Sequence, residues 1–289
     1  MNIILFSRKQ VKHRPEQLRR LLLCIEQYGY TYTINEEFAS AIEQLTGITV
    51  DSDKIYMHNP SAMGGDVMIT YGGDGTLLEA VGILPDYRIP VVGINSGRVG
   101  YLTVDDGEGI EALFDHLSKG TLHFEERRML QVMEGADDNF NGMALNEIAI
   151  HRHGTMMVSV ETRIDGNAVA TYHGDGIVVS TPTGSPAYSL SAGGPVIDPR
   201  CRCIVLSPIA PHNLTMRPLV VPDDVEMTMR INSRGGEAFL SADNRTCIVK
   251  DGTIIRLGLA PRSVILAMPH NKSFYDTLRQ KMMWGIDKR

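Results

Sequence analysis

Gly72-Gly73-Asp74-Gly75 sets one carboxylate among three glycines, directly after the apolar run at residues 66–71. Glycines let a backbone approach an anion closely, and the free amides that open a helix add donors and a positive dipole end. Thr76-Leu77-Leu78-Glu79-Ala80-Val81 takes up helical spacing, so strand, turn and helix form a phosphate-binding layout. The carboxylate is the anomaly, because it puts negative charge where phosphates would lie. These residues alone leave two accounts open: a tight turn with Asp74 as helix N-cap, or a cradle in which Asp74 has a chemical task. No G-x-G-x-x-G follows the strand at residues 2–7, and no Lys-Ser or Lys-Thr pair completes a P-loop.

A second group lies in residues 181–195, which gather hydroxyl residues, glycines, prolines and one aromatic ring. Pro182 and Pro186 restrict the backbone and Gly184 relieves it, holding the hydroxyls of Thr181, Thr183 and Ser185 in a defined loop. Tyr188 offers a ring to stack on a base. An ordinary surface turn is the alternative, but length and position just after a strand at residues 176–180 favour a binding loop. Asn146-Glu147, at a strand beginning, adds amide and carboxylate groups suited to ribose hydroxyls or an adenine edge.

Cys24, Cys201, Cys203 and Cys247 have neither zinc spacing nor a paired framework, and reduced thiols are expected. His151-Arg152-His153 places two imidazoles on one strand face with no third ligand nearby in sequence, so a polar face is expected there.

The elements that must position these groups change character once. In the first hundred residues strands at 2–7, 30–34, 66–71 and 89–94 alternate with helices, among them residues 15–28 and 36–45. This βαβ rhythm predicts a Rossmann-like parallel sheet with helices on both faces, and ligands gather at the carboxyl ends of its strands. Gly72-Gly73-Asp74-Gly75 and Asn95-Ser96-Gly97-Arg98 both follow strands, so both are expected to face one cleft. A helix at 107–119 closes this part. Short Val-, Ile-, Met- and Thr-rich runs follow at 144–151, 156–164, 176–180, 225–231 and 253–259, predicting an all-β sandwich. Asp165-Gly166, Gly235-Gly236 and Asp251-Gly252 are its expected hairpin turns. Residues 273–284 return to helical spacing and are expected to dock back on the first domain. The expected division is an α/β domain of residues 1–120 joined by a C-terminal helix at 270–289, and a sandwich of residues 121–269.

With 289 residues and a formal net charge of −6, the chain is expected to be soluble and cytoplasmic, with one or two domains. No apolar run spans a bilayer, and the start lacks the features of a signal peptide. The acidic balance argues against nucleic acid as partner.

In order and spacing, these segments resemble the NAD kinase (ATP-NAD kinase) family over most of the chain. The resemblance is carried by Gly72-Gly73-Asp74-Gly75-Thr76, Asn95-x-Gly97-x-x-Gly100-Tyr101-Leu102, Asn146-Glu147, Asp175-Gly176, residues 181–195 and Trp284-Gly285. It implies transfer of the ATP γ-phosphoryl group to the adenosine 2′-hydroxyl of NAD, giving NADP, with a divalent cation, Mg or Mn. It also implies a homodimer or homotetramer with shared active sites. Carried over by position, Asp74 matches the catalytic aspartate and Gly75 a nucleotide contact within the turn of Gly72 and Gly73. Asn146 and Glu147 match NAD ribose and adenine contacts, Asp175 a residue toward the nicotinamide end, and Ala187, Tyr188 and Ser191 the adenine-side loop. Loose phosphoryl transfer relaxes the demand for a strong base, so Asp74 is expected to orient the hydroxyl, with metal contact as a second role.

Three positions depart from the family pattern. Pro186 replaces a usual Thr, losing a hydroxyl and a backbone donor. Asp243-Asn244-Arg245 replaces Asp-Gly-Gln, with Asn244 expected to accept positive φ and Arg245 to approach a phosphate or sit in solvent. His173 stands where the family is often basic. Lipid kinases and phosphofructokinases share the glycine-aspartate turn but lack the Asn-Glu pair followed by the Thr-Pro-Thr-Gly-Ser loop, while a non-catalytic NAD(P)-binding sensor would keep the fold.

Overall fold

Alternating apolar strands and amphipathic helices open the chain in the computed structural model, which describes residues 1–57, 64–97, 100–104, 109–268 and 273–285. The elements are β1 (Asn2–Phe6), α1 (Pro15–Gln27), β2 (Thr31–Asn35), α2 (Glu36–Thr46), β3 (Ile55–Tyr56), β4 (Val67–Tyr71), α3 (Asp74–Gly82), β5 (Val91–Ile94), β6 (Thr103–Val104) and α4 (Gly109–Lys119). Arg98 and residues 107–108 of the expected helix lie outside the described residues. Pro15 sets the first turn of α1, whose Leu18, Leu21, Cys24 and Ile25 are buried at helical spacing.

Parallel pairing joins β1 to β2 and β4, β2 to β3, and β4 to β5, giving the order β3-β2-β1-β4-β5. The order reverses between β1 and β4, and doubly wound sheets bind ligands at the carboxyl ends of the strands flanking such a reversal. Ser7 and Arg8 leave β1 at that end, and Gly72 and Gly73 leave β4. Ile3, Leu5, Val67, Ile69, Val92 and Ile94 point to one face, where they pack with apolar residues of α1, α2 and α4. Leu77 of α3 lies on the other face, with its Cδ1 3.1 Å from where a Cβ on Gly93 would stand.

The second part is built from β7 (His123–Glu134), β8 (Met143–Ala144), β9 (Glu147–Arg152), β10 (Val158–Ile164), β11 (Asn167–Gly174), β12 (Gly176–Ser180), α5 (Tyr188–Ser191), β13 (Cys203–Ile209), β14 (Leu219–Pro222), β15 (Glu226–Ser233), β16 (Glu237–Ala242), β17 (Arg245–Lys250) and β18 (Ile254–Met268). α6 (Phe274–Met282) closes the described chain, capped by a reciprocal Ser273–Asp276 capping box. Two compact units result: Met1–Glu126 with Val264–Arg289, and Arg127–Ser263.

Within the second unit, β11-β10-β15-β18 form one antiparallel layer and β14-β13-β12-β9-β16-β17 the other. Ile148, Ile150, Ile177, Val179 and Leu206 of one layer meet Val158, Val160, Met229, Ile231 and Leu257 of the other, so the sandwich core comes from alternate residues of both. Asp165-Gly166 makes the expected two-residue hairpin, pairing Ile164 with Asn167. The other two expected hairpins are corrected: Gly235-Gly236 and Asp251-Gly252 carry the chain from one layer to the other. Glycine marked a reversal at each, but which strands then pair is decided by the layers. The hairpin between β16 and β17 turns instead at Asp243-Asn244, and the residue at positive φ is Asp243, at 52°, rather than Asn244. No helix among the described residues is long and apolar enough to cross a membrane.

Candidate functional site

In the first unit, the glycine turn delivers Asp74 as the first residue of α3, and Gly73 is its N-cap. The N-cap account of Asp74 is therefore corrected. Its carboxylate reaches away from its own helix to residues 100–103: Oδ2 accepts from the Tyr101 amide at 2.7 Å, and Oδ1 from the Leu102 amide at 3.1 Å and the Thr103 hydroxyl at 3.3 Å. A Cβ on Gly100 would overlap Asp74 Oδ1, so the close approach requires glycine there. The two sequence motifs of this unit thus meet through one carboxylate.

Arg8, absent from the sequence-based site, completes the turn. Its Nη2 lies 3.2 Å from where a Cβ on Gly75 would stand, and its Nη1 is 3.5 Å from Glu79 Oε2. Arg8 Nε, Thr76 Oγ1 and Asn95 Nδ2 are buried without a hydrogen-bond partner, and a buried polar group left unpaired is costly. The legible signal was position: Arg8 follows the first strand of a sheet whose order turns at that strand.

In the second unit, Asn146 and Glu147 enter β9 on a backbone gripped by Asp243. Both Asp243 oxygens are used: Oδ2 accepts from the Leu145 amide at 2.8 Å, Oδ1 from those of Asn146 at 2.9 Å and Glu147 at 3.1 Å. The Thr181 hydroxyl donates to the Leu145 carbonyl at 2.6 Å, and a Cβ on Gly184 would overlap the Asn146 carbonyl. The 181–195 loop is thereby seated on the Asn-Glu pair. Asn146 Oδ1 and Glu147 Oε2 are buried without a partner. Burial first, then the Asp243 carboxylate, pushes the Glu147 carboxyl up to about 8, against the Tyr188 backbone amide, which lowers it. Glu147 therefore holds a proton at neutral pH and can donate a hydrogen bond.

The loop hydroxyls have structural partners. Thr181 and Ser185 bond to backbone, Ser185 donating to the Pro182 carbonyl at 2.8 Å, and Thr183 lies 3.4 Å from Arg127 Nη1. Of the expected ligand contacts in the loop, Pro186, Ala187, Tyr188 and Ser191 are the partly or fully exposed ones. The Tyr188 ring stacks on His151 at 5.4 Å, and burial pushes the His151 imidazole down. His153 packs edge-on against Phe239 at 4.6 Å, so the two imidazoles have separate partners. Asp175 pairs with Arg152 at 2.6 Å, and exposed His173 bonds the Ser159 hydroxyl at 2.7 Å. Arg245 donates to the Met143 carbonyl and lies 3.9 Å from Asp243. All four cysteines are free, and no cluster of three metal-ligating side chains occurs among the described residues.

Known proteins match this architecture throughout. The ATP-NAD kinase N-terminal domain family matches residues 3–122, and the ATP-NAD kinase C-terminal domain family residues 145–265. NAD kinase of Flavobacterium psychrophilum is 33% identical over 100% of both chains, and that of Porphyromonas gingivalis 38% identical over 96% of this chain and 97% of its own. Yeast NADH kinase, solved with NADH, has TM-score 0.87 at 23% identity, covering 100% of this chain and 89% of that one. An NAD kinase from Archaeoglobus fulgidus, solved with ATP, has TM-score 0.75 at 24% identity, covering 98% and 99%. The two family matches and the full-length relatives place the chain in a class of nucleotide phosphotransferases. The chain belongs to the ATP-NAD kinase family, and its function is that of an NAD kinase.

Proposed function

We propose that the chain transfers the ATP γ-phosphoryl group to the 2′-hydroxyl of the adenosine ribose of NAD, with Asp74 orienting that hydroxyl. The observation that carries this assignment is the Asp74 carboxylate, fixed at the start of α3 where the strand order reverses. In a loose transition state, positioning and charge neutralisation supply most of the rate. Gly72, Gly73 and Gly75 admit the phosphates to the α3 amides, and Arg8, beside Gly75, supplies a cation for them.

Asn146 and Glu147 hold the NAD ribose and adenine through their unpaired buried oxygens. Tyr188, Ala187 and Ser191 form the adenine-side wall, and Asp175 with His173 lies toward the nicotinamide. Thr181, Thr183, Ser185 and Pro186 shape the loop, and Arg245 steadies the Asp243 turn rather than meeting a phosphate. Residues 1–120 with 270–289 act as the nucleotide domain and 121–269 as the NAD-binding domain.

Mg or Mn fits a site in which Asp74 is committed to the acceptor hydroxyl, because such ions are held largely by substrate phosphates and water. When bound, the ion neutralises charge on the transferring phosphoryl group. Function as a cytoplasmic homodimer or homotetramer with shared sites completes the reading, and a dissociated form is expected to be poorly active.

The test is incubation with ATP, NAD and Mg, with NADP read by an NADP-specific dehydrogenase. NADP is expected. No NADP with ATP, polyphosphate or NADH tested in turn would leave a non-catalytic NAD(P)-binding sensor.

A further inference from the structure

Thr103 stands outside every motif from which the activity is read, yet its hydroxyl occupies the centre of the Asp74 network. It accepts from the Gly100 amide at 3.1 Å and lies 3.3 Å from Asp74 Oδ1. A threonine hydroxyl has one proton, and an amide can only donate. The hydroxyl proton is therefore free to point at Asp74, and the relay runs in one direction from Gly100 N–H through Thr103 O–H to the carboxylate. An ionised carboxylate has about four acceptor positions. Leu102 and Thr103 fill both on Oδ1, and Tyr101 fills one on Oδ2.

We propose that Thr103 is a positioning residue for phosphoryl transfer: with the Tyr101 and Leu102 amides it saturates Oδ1 of Asp74 and leaves one acceptor position, on Oδ2, for the acceptor hydroxyl. Specificity for a single, correctly placed hydroxyl then follows from the count of donors. Thr103 is itself 5% exposed, so its part is played through Asp74 and not by touching substrate. The proposal rests on the assignment of Asp74 to the acceptor hydroxyl.

Steady-state kinetics on Thr103→Val and Thr103→Ser test it, with NAD affinity measured by calorimetry without ATP and melting temperature recorded for each protein. Loss of one hydrogen bond to a reacting group is expected to lower kcat about tenfold in Thr103→Val, with KM and affinity for NAD within twofold. Thr103→Ser, which keeps the hydroxyl, should recover kcat to within twofold. Gly100→Ala, whose Cβ displaces the carboxylate, should lose more kcat than Thr103→Val at similar NAD affinity. An unchanged kcat in Thr103→Val overturns the proposal, as does a loss in Thr103→Ser as large as in Thr103→Val. So does a loss in Thr103→Val that is equalled by a variant destabilised to the same melting temperature at a residue remote from Asp74 and with the Thr103 hydroxyl intact. A wild-type protein that makes no NADP fails earlier, on the phosphotransferase reading itself. Wild-type turnover that survives Asp74→Asn removes the assignment of Asp74 while leaving the activity.

Discussion

The two units each devote a carboxylate to receiving three donors, and the pair differ in which partner is held. In the first unit the loop holds the acid: Tyr101, Leu102 and Thr103 fix Asp74. In the second the acid holds the loop: Asp243 fixes the amides of Leu145, Asn146 and Glu147. The neighbouring Glu147 retains a proton chiefly because it is buried, with the Asp243 carboxylate adding to the push and a single amide opposing it. Burial and donor allocation together, more than residue type, set what each carboxylate can do.

Removing the charge from the held acid gives the largest expected effect. Asp74→Asn should lower turnover about a thousandfold while NAD still binds, as measured by NADP formation and calorimetry. Near-normal turnover would erase the distinction between the two acids. Removing the holding acid should act on stability: Asp243→Ala leaves three amides without their acceptor and is expected to cost about 3 kcal/mol in urea unfolding. Intact stability in that variant would show that the loop holds itself.

A smaller effect tests the cation beside the glycine turn. Arg8→Ala should raise KM for ATP about tenfold with KM for NAD unchanged, since the Gly75 turn beside it admits the phosphates. Equal changes in both constants would remove Arg8 from the phosphate site.

The smallest expected effect concerns the proton on Glu147. Its carboxyl is pushed from the ordinary 4.5 to about 8 in the folded protein. Between these values the folded state binds a proton that the unfolded state has released, so stability contributed at this residue falls as pH rises through that window. Glu147→Gln, which imitates the protonated acid, should melt a few degrees above wild type at pH 8.5, with the gap closing toward pH 4.5. A constant gap would mean that Glu147 is ionised in the folded protein throughout.

Much of the fold was legible because its signals are local. Leu18, Leu21 and Ile25 mark α1 by spacing, and the run at 66–71 marks a fully buried β4. Strand partners are not local, which is why Gly235-Gly236 and Asp251-Gly252 read as hairpins yet pass between layers. It is also why the run at 253–259 extends to Met268 as β18. The site followed the same division. The glycine turn and Asn146-Glu147 declare themselves by residue type. Arg8 and Thr103 matter only because the sheet order and the turn after β5 bring them to Asp74 and Gly75. The hydroxyls of Thr181 and Ser185 suggested ligand contacts by composition, whereas the folded chain spends them on backbone carbonyls, Thr181 on that of Leu145 and Ser185 on that of Pro182.

The span of β18 has a consequence for synthesis. The second unit is one uninterrupted stretch, Arg127–Ser263, while the first needs Val264 onward, including Leu266 paired with Val91 of β5. On the ribosome, then, the part made later can finish folding before the part made earlier. Residues 1–126 are left with β5 short of one neighbour until β18 emerges, which runs against the usual N-terminal-first order.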